Sequence, residues 1–383
     1  MINIDSKLPK VGTTIFTVMS QLAKKHNAIN LSQGFPNYDI SERLKTLAKS
    51  NIDGGYNQYA PMAGDAGLRR ALVQKMEKNH GCKINMDTEI TITAGATQAI
   101  YTSVSAFIQP GDEVILIEPA YDCYAPSVVV NGGKVISYPL QFPDYAIDWV
   151  AFKKLISPAT KMIMINTPHN PTGSILRKSD LEALEKIVTD TNIIVLSDEV
   201  YEHLIFDGEE HQSVLKYPKL KERSIVTYSF GKTFHGTGWK LGYCVAPEYL
   251  MKEIRKVHQF NVFCVNHPLQ KALATFLDNP EEYLGLPFFY QKKRDFLQEE
   301  LKGSGFKPIH CSGTYFQLYD YSTLSDEDDM TFAKRITEEY GVATIPISPF
   351  YEKGTNGKVV RFCFAKTEEL LEQAGERLRL INK

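Results

Sequence analysis

Residues 161–201 read KMIMINTPHNPTGSILRKSDLEALEKIVTDTNIIVLSDEVY. An apolar run, Lys161–Ile165, opens into a loop of Asn, Pro and Gly. An amphipathic segment, Ser179–Thr189, follows, and a second apolar run, Ile193–Ser197, ends on Asp198. Short Ile/Val/Leu-rich runs bounded by turn residues are expected to be strands buried on both faces, and a helical crossover between two of them makes a parallel unit. Open α/β sheets hold ligands beyond the carboxyl ends of such strands. Both the loop from Asn166 to Gly173 and the run Asp198-Glu-Val-Tyr201 fall there.

The alternation continues on either side. Strands are expected at Glu89–Thr93, Glu113–Ile117, Lys134–Tyr138, Ser224–Ser229 and Lys240–Ala246, with helices at Thr97–Phe107 and Trp149–Ile156. The expected fold class is α/β, a mostly parallel central sheet with helices on both faces. Past Pro247 the pattern turns helical over Glu248–Gln259, Pro268–Leu277 and Glu281–Leu301. The C-terminal part differs: strand-like Tyr315–Asp320 and Val359–Phe364 mix with helical Met330–Tyr340 and Thr367–Leu380, an α+β pattern expected to form a second, smaller domain.

Composition excludes more than it selects. The chain has 383 residues, 43% hydrophobic and 23% charged, with 43 Lys+Arg against 45 Asp+Glu and a net charge of −2. Disordered and low-complexity classes are excluded. So is the basic excess that nucleic-acid binding needs. Cys82, Cys123, Cys244, Cys264, Cys311 and Cys363 are scattered without a C-x-x-C pair and read as reduced thiols. The opening MINIDSKLPK lacks the apolar core of a secretory signal, and no apolar run approaches the ~20 residues of a membrane span. The expectation is a cytoplasmic protein. No H-E-x-x-H or Cys/His ligand spacing occurs, His169 and His203 read as structural histidines, and no metal is assigned.

Two familiar motifs fail on inspection. Gly231-Lys232-Thr233 ends like a phosphate-binding P-loop, but Val226 stands where the first Gly is required. Gly236-Thr237-Gly238 starts like a dinucleotide fingerprint, but Leu241 takes the third Gly position. Four other segments converge. Thr91-Ile-Thr-Ala-Gly95-Ala96-Thr97 runs from a strand through a small-residue turn into a helix, whose free N–H groups and dipole suit a phosphate. Asn166-Thr-Pro-His-Asn170-Pro-Thr-Gly173 and Asp198-Glu-Val-Tyr201 each follow a strand. Ser229-Phe-Gly-Lys232 precedes Gly238-Trp-Lys240-Leu-Gly242, which suggests one reactive amine and one anion contact. Singly, each could be an ordinary turn, cap or surface lysine. A parallel sheet would gather all four along one edge.

In this order and spacing the motifs resemble the class I, fold type I, pyridoxal 5′-phosphate-dependent aminotransferases. Asn30-Leu-Ser-Gln-Gly34-Phe-Pro36, Asn57-Gln-Tyr59-Ala-Pro61 and Asn261–Pro268 resemble the branch that holds methionine aminotransferase and the kynurenine–glutamine transaminase K enzymes. The resemblance runs from about residue 8 to the C-terminus. It implies a large cofactor-binding domain over 40–285 and a small domain from 1–39 and 286–383. It also implies a homodimer and small-molecule amino acid and 2-oxo acid substrates.

Residue roles follow from the resemblance. Lys232 is implied as the lysine that forms a Schiff base with the cofactor and then moves the substrate proton. Asp198 is implied to face the pyridine nitrogen, and Tyr201 and Asn170 its phenolic oxygen, with the ring against Tyr121. Ala96, Thr97, Ser229 and Lys240 are implied to hold the phosphate, with Tyr59 entering from a second subunit. Many relatives carry Arg where this chain has Lys240, a point charge in place of a fork. Arg361 is implied to bind the substrate α-carboxylate, completed by Asn170 and the Gly34 backbone. Phe16, Tyr59, Tyr121 and Phe263 are implied to line an aromatic, uncharged side-chain pocket suited to methionine, aromatic or other neutral amino acids. The alternative is a cysteine-S-conjugate or cystathionine β-lyase, since the same carbanion can expel a β leaving group.

Overall fold

The computed structural model describes residues 2, 4–355 and 357–381. In chain order its strands are β1 (Ile29–Asn30), β2 (Ile90–Thr93), β3 (Glu113–Glu118), β4 (Lys134–Pro139), β5 (Thr160–Asn166), β6 (Ile194–Asp198), β7 (Ser224–Ser229), β8 (Gly242–Val245), β9 (Lys307–Pro308), β10 (Phe316–Asp320), β11 (Val342–Ala343), β12 (Ile345–Pro346) and β13 (Val359–Cys363). Seven of them build the central sheet in the order β2-β8-β7-β6-β5-β3-β4. From β7 to β4 every neighbouring pair is parallel, whereas β8 is antiparallel to both β2 and β7. The sheet is thus mostly parallel, as the apolar runs imply. β6 is buried at every position, which is why Ile194-Val-Leu-Ser-Asp198 shows no polar alternation.

The helix Lys178–Val188 joins β5 to β6 and buries Leu181, Leu184 and Val188 from one face. Each such side chain contributes about 1.5–3 kcal/mol of burial. Its first turn is fixed by Asp180, whose carboxylate accepts from the Arg177 N–H at 2.8 Å and from Trp149 Nε1 at 2.9 Å. Upstream, Gly173 turns the chain at φ +74°, and a Cβ there would lie 2.7 Å from Cys311 Sγ. Glycine is required at that turn on both counts.

After β3 the chain runs outward to β4 and then returns to β5 on the opposite side of β3. The loops beyond β3 and β5 therefore part in opposite directions and leave a crevice at the carboxyl edge. A second sheet, β12-β13-β10-β9, is antiparallel throughout. β1 pairs in parallel with β11, Ile29 opposite Val342, which ties the N-terminal segment to the C-terminal part.

Several boundaries differ from the sequence expectation. The last central strand starts at Gly242, because Lys240 adopts a left-handed conformation at φ 52°. The helix expected over Glu281–Leu301 is two, Glu281–Leu284 and Leu286–Glu300, divided at Gly285 just before Pro287 in the first turn of the second. That expected at Trp149–Ile156 stops at Lys153. Ile15–Lys25, Glu42–Asp53 and Ala66–His80 are helices the sequence reading did not assign.

Candidate active site

Register puts the predicted segments on one edge. Thr93 and Ser229 both pair with Gly242, and Asn166 pairs with Asp198, itself opposite Thr227. The ends of β2, β5, β6 and β7 and the start of β8 thus open on the same side. A cavity of about 320 Å³ lies there, and its charged lining residues are Asp198, Lys232, Lys240 and Arg361.

One corner is built for an anion. The helix Gly95–Phe107 starts at Ala94 without a side-chain cap, so N–H groups of its first turn face the cavity through Gly95, Ala96 and Thr97. Lys240 lies over that turn, where a Cβ on Gly95 would sit 3.4 Å from Lys240 Nζ. Ser229, at the end of β7, lines the same space.

Asp198 ends β6, fully enclosed. Its Oδ2 accepts from the Tyr124 hydroxyl at 2.6 Å, and Oδ1 from the Val200 N–H at 3.3 Å. Burial raises its pKa to about 6, against the pull of the Tyr124 hydrogen bond. A buried carboxylate with that environment is poised to take a cationic partner. Lys232 sits on the short helix Phe230–Thr233 directly after β7. Its Nζ donates to the Tyr315 hydroxyl at 2.9 Å and to the Gly34 carbonyl at 3.2 Å. Desolvation lowers its pKa to about 8. A neutral amine is accordingly accessible near physiological pH.

Arg361 is the middle residue of β13, flanked by β12 and β10, and is 0% exposed. Nη1 donates to Asn170 Oδ1 at 2.7 Å and Nη2 to the Ser32 carbonyl at 3.0 Å, while Nε has no partner among the described residues. Phe316 is its diagonal cross-strand neighbour, and the guanidinium carbon lies 3.8 Å from the centre of that ring. Burial lowers the arginine pKa to about 10, which leaves it a cation. A fixed, buried, planar cation with an unused donor has the chemistry to receive a carboxylate. Asn170 is itself placed by Asn166, whose Oδ1 accepts from the Asn170 N–H at 2.8 Å.

Of the residues expected from sequence, Phe16, Gly34, Ala96, Thr97, Tyr121, Asn170, Asp198, Tyr201, Ser229, Lys232, Lys240 and Arg361 all line this cavity. Tyr59 and Phe263 do not. They meet edge to face at 5.3 Å, with Tyr59 82% and Phe263 36% exposed. The sequence reading missed Tyr124, Tyr315, Phe316 and Lys366. Lys366 Nζ donates to the carbonyls of Gln33 and Phe35 and so holds the segment that carries Gly34. The described residues contain no group of three or more His, Cys, Asp or Glu able to hold a metal, and no helix long and apolar enough to cross a membrane.

A buried acid, a lysine of lowered pKa, an uncapped helix start and a buried arginine with a free donor gather around the edge of a doubly wound sheet, an arrangement that suits a fold type I enzyme of amino-group chemistry. The sequence profile of the family "Aminotransferase class I and II" matches residues 26–378, and the chain belongs to that family; it is an aminotransferase. Methionine aminotransferase of Escherichia coli K12 is 49% identical over 98% of this chain and 97% of its own length. Kynurenine–oxoglutarate transaminase of Dictyostelium discoideum is 34% identical over 97% and 95%. A crystal structure from Escherichia coli, described as identifying a methionine aminotransferase function, superposes with a TM-score of 0.97 at 48% identity, covering 99% of this chain and 100% of that one. The family and fold are pyridoxal phosphate-dependent.

Proposed function

We propose that this chain binds pyridoxal 5′-phosphate in the cavity described and transfers the amino group of methionine, aromatic or other neutral amino acids to a 2-oxo acid. The observation that carries the reading is one cavity shared by Lys232, with its lowered pKa, and by Arg361, whose buried Nε lacks a partner. The residues present fit the cofactor. The uncapped helix start with Lys240 and Ser229 suits its phosphate, and Asp198 suits a protonated ring nitrogen. Tyr201, Asn170 and Tyr121 would surround the ring.

When bound, the cofactor supplies an electron sink for the pair left as a substrate Cα–H bond breaks. The protein supplies the rest. Arg361 and Asn170 orient the α-carboxylate, which fixes the direction of the Cα–H bond. Lys232 Nζ, neutral in an appreciable fraction near its pKa of about 8, takes that proton and as the ammonium gives it back. Asp198 holds positive charge on the ring side of the cavity, and Tyr121 and Tyr201 narrow the space left for water.

Substrate class rests on the lining. Beyond Arg361, the cations on the cavity wall are Lys232 and Lys240, both already assigned. Among the described residues no lining cation is left for a second carboxylate, while Phe16 and Phe316 offer apolar surface. Tyr59 and Phe263, exposed side by side, support a homodimer in which they reach the partner's cavity. The proposed large domain spans 40–285, the small one 1–39 and 286–383, and a cytoplasmic location fits the composition. The test is a panel of amino acids and 2-oxo acids with added pyridoxal phosphate, following new amino acid, ammonia and pyruvate. Methionine and phenylalanine are expected to turn over much faster than aspartate, without net ammonia. An aspartate preference overturns the substrate reading, and pyruvate with ammonia from cysteine conjugates would move the enzyme to the β-lyases.

A further inference from the structure

Four consecutive carbonyls of the N-terminal segment are each held by a donor from another part of the chain. Ser32 O accepts from Arg361 Nη2 at 3.0 Å, Gln33 O from Lys366 Nζ at 3.4 Å, and Phe35 O from the same amine at 2.7 Å. Gly34 O accepts twice, from Lys232 Nζ at 3.2 Å and from the Tyr315 hydroxyl at 2.5 Å. Tyr315 is 0% exposed and its ring is locked by Tyr201 at 5.2 Å, Tyr290 at 5.8 Å and Phe316 at 4.9 Å. Its oxygen has one proton to give and lone pairs to accept.

A carbonyl oxygen can only accept, so the bond to Gly34 commits that proton. Toward Lys232 the hydroxyl can then act only as an acceptor, at 2.9 Å. An amine held by two acceptors presents its N–H bonds to them and turns its lone pair elsewhere, and the open direction is the cavity. We propose that Tyr315 is a positioning residue for Lys232: with its proton committed to the Gly34 carbonyl, its hydroxyl holds the lysine as a donor and leaves the nitrogen lone pair free toward the substrate. Arg361, which holds the neighbouring Ser32 carbonyl, connects carboxylate binding to the same segment. The proposal rests on Lys232 being the reacting amine.

The other charged and titratable groups around Lys232 are Asp198, Arg361, Lys240, Cys363 and Tyr201. Of these, Tyr201 also hydrogen-bonds the Tyr315 hydroxyl and loses that partner in Tyr315→Phe, while staying un-ionised because burial raises its pKa. Two readouts apply to the full-length variant. The first is the pH profile of trace acetylation of Lys232 by acetic anhydride in cofactor-free protein, read by peptide mass spectrometry. The second is kcat and KM for methionine with the cofactor added. Loss of an acceptor that favours the ammonium moves the acetylation midpoint to lower pH. With the loss of a hydrogen bond to a charged group, kcat is expected to fall about tenfold while KM stays within about twofold.

Tyr290→Phe is the control: it removes a buried phenol that bonds Tyr38 at 3.0 Å, not Lys232, and is expected to move neither readout. Should Tyr315→Phe not fold, 3-fluorotyrosine at position 315 keeps the ring and weakens the acceptor, moving the midpoint the same way by less. An unmoved midpoint in the folded Tyr315 variant, or an equal change in Tyr290→Phe, overturns the proposal alone. Turnover that survives Lys232→Ala overturns the functional reading and the proposal with it.

Discussion

Arg361→Met tests the proposed carboxylate receptor apart from the rest of the site. The wild-type guanidinium is buried, stacked on Phe316 and tied to Asn170 Oδ1 and Ser32 O, which leaves Nε without a protein acceptor. A substrate carboxylate met by a planar fork gains two charge-assisted hydrogen bonds. At about 1.5–3 kcal/mol each, they amount to about 3–6 kcal/mol, or about 10²–10⁴ in kcat/KM. Arg361→Lys keeps the charge and loses the fork, so the expected drop is about 10–100-fold. The assay uses two donors, methionine and 3-(methylthio)propylamine, which lacks the carboxylate. Wild type is expected to favour methionine by the full factor, and Arg361→Met to lose most of that preference while its slow reaction with the amine stays near wild type. Equal loss toward both donors would refute the reasoning, because Arg361 would then be supporting the fold or Asn170 and not the carboxylate.

Asp198→Asn is expected to lower kcat by about 100-fold, the loss of a charge-assisted contact in a water-poor site. The cofactor-free protein should melt no lower at pH 7.5, because a carboxyl whose folded pKa is raised to about 6 is a destabilising charge above that pH; a lower melting temperature would contradict this. Gly34→Ala places a Cβ 2.7 Å from Phe316 Cζ, so it is expected to cost about 1–3 kcal/mol in stability and to lower kcat/KM by displacing the ring under Arg361; wild-type kinetics would show that the ring yields freely. Burial holds the pKa of His169 at about 4, His203 at about 3 and His235 at about 4, below the ordinary 6.5. Neutral in the fold, they take protons once the chain unfolds below about pH 6.5, so each removes about 1.4 kcal/mol of stability per pH unit in that range. The urea midpoint should be lower at pH 5.5 than at pH 7, even though Asp198 acts in the opposite direction, and should rise slightly from pH 7 to 8 as Lys232 loses its proton more readily in the fold; a constant midpoint would sink the prediction.

Much of the site was legible because most of its chemical groups stand at strand ends with a local signature, Arg361 in the middle of β13 being the exception. Asn170, Asp198 and Lys232 each follow an apolar run, and the parallel sheet does the gathering. Tyr124, Tyr315 and Lys366 carry no such signature. Tyr124 meets Asp198 across 74 residues of chain, Tyr315 meets Lys232 across 83 and Gly34 across 281, and Lys366 reaches Gln33 across 333. Each is one more buried aromatic or amphipathic residue until long-range packing gives its polar tip a partner. Two N-terminal helices were missed for a related reason: Glu42–Asp53 and Ala66–His80 are polar on average, the first burying only Leu44 and Ala48 and the second burying Arg69, Lys75 and His80 alongside its apolar residues. Tyr59 illustrates the reverse, since its motif is local while its proposed partner lies in another subunit.

Strand order, not chain order, arranges the charges. Along the edge, the anion corner sits over β2 and β8, Lys232 follows β7, Asp198 ends β6, and Asn170 with Arg361 lies beyond β5. In the chain the corresponding order is Gly95, Asn170, Asp198, Lys232, Lys240 and Arg361. β2 and β5 stand four strand spacings apart, about 19 Å at the sheet before side chains converge. The two anion receptors are therefore held at separate places by a rigid scaffold, with the acid and the amine between them. A molecule with its phosphate at one receptor and a substrate with its carboxylate at the other would direct their remaining atoms into the space between. The proposed cofactor and substrate would thus face each other across the cavity, with the Lys232 amine between them.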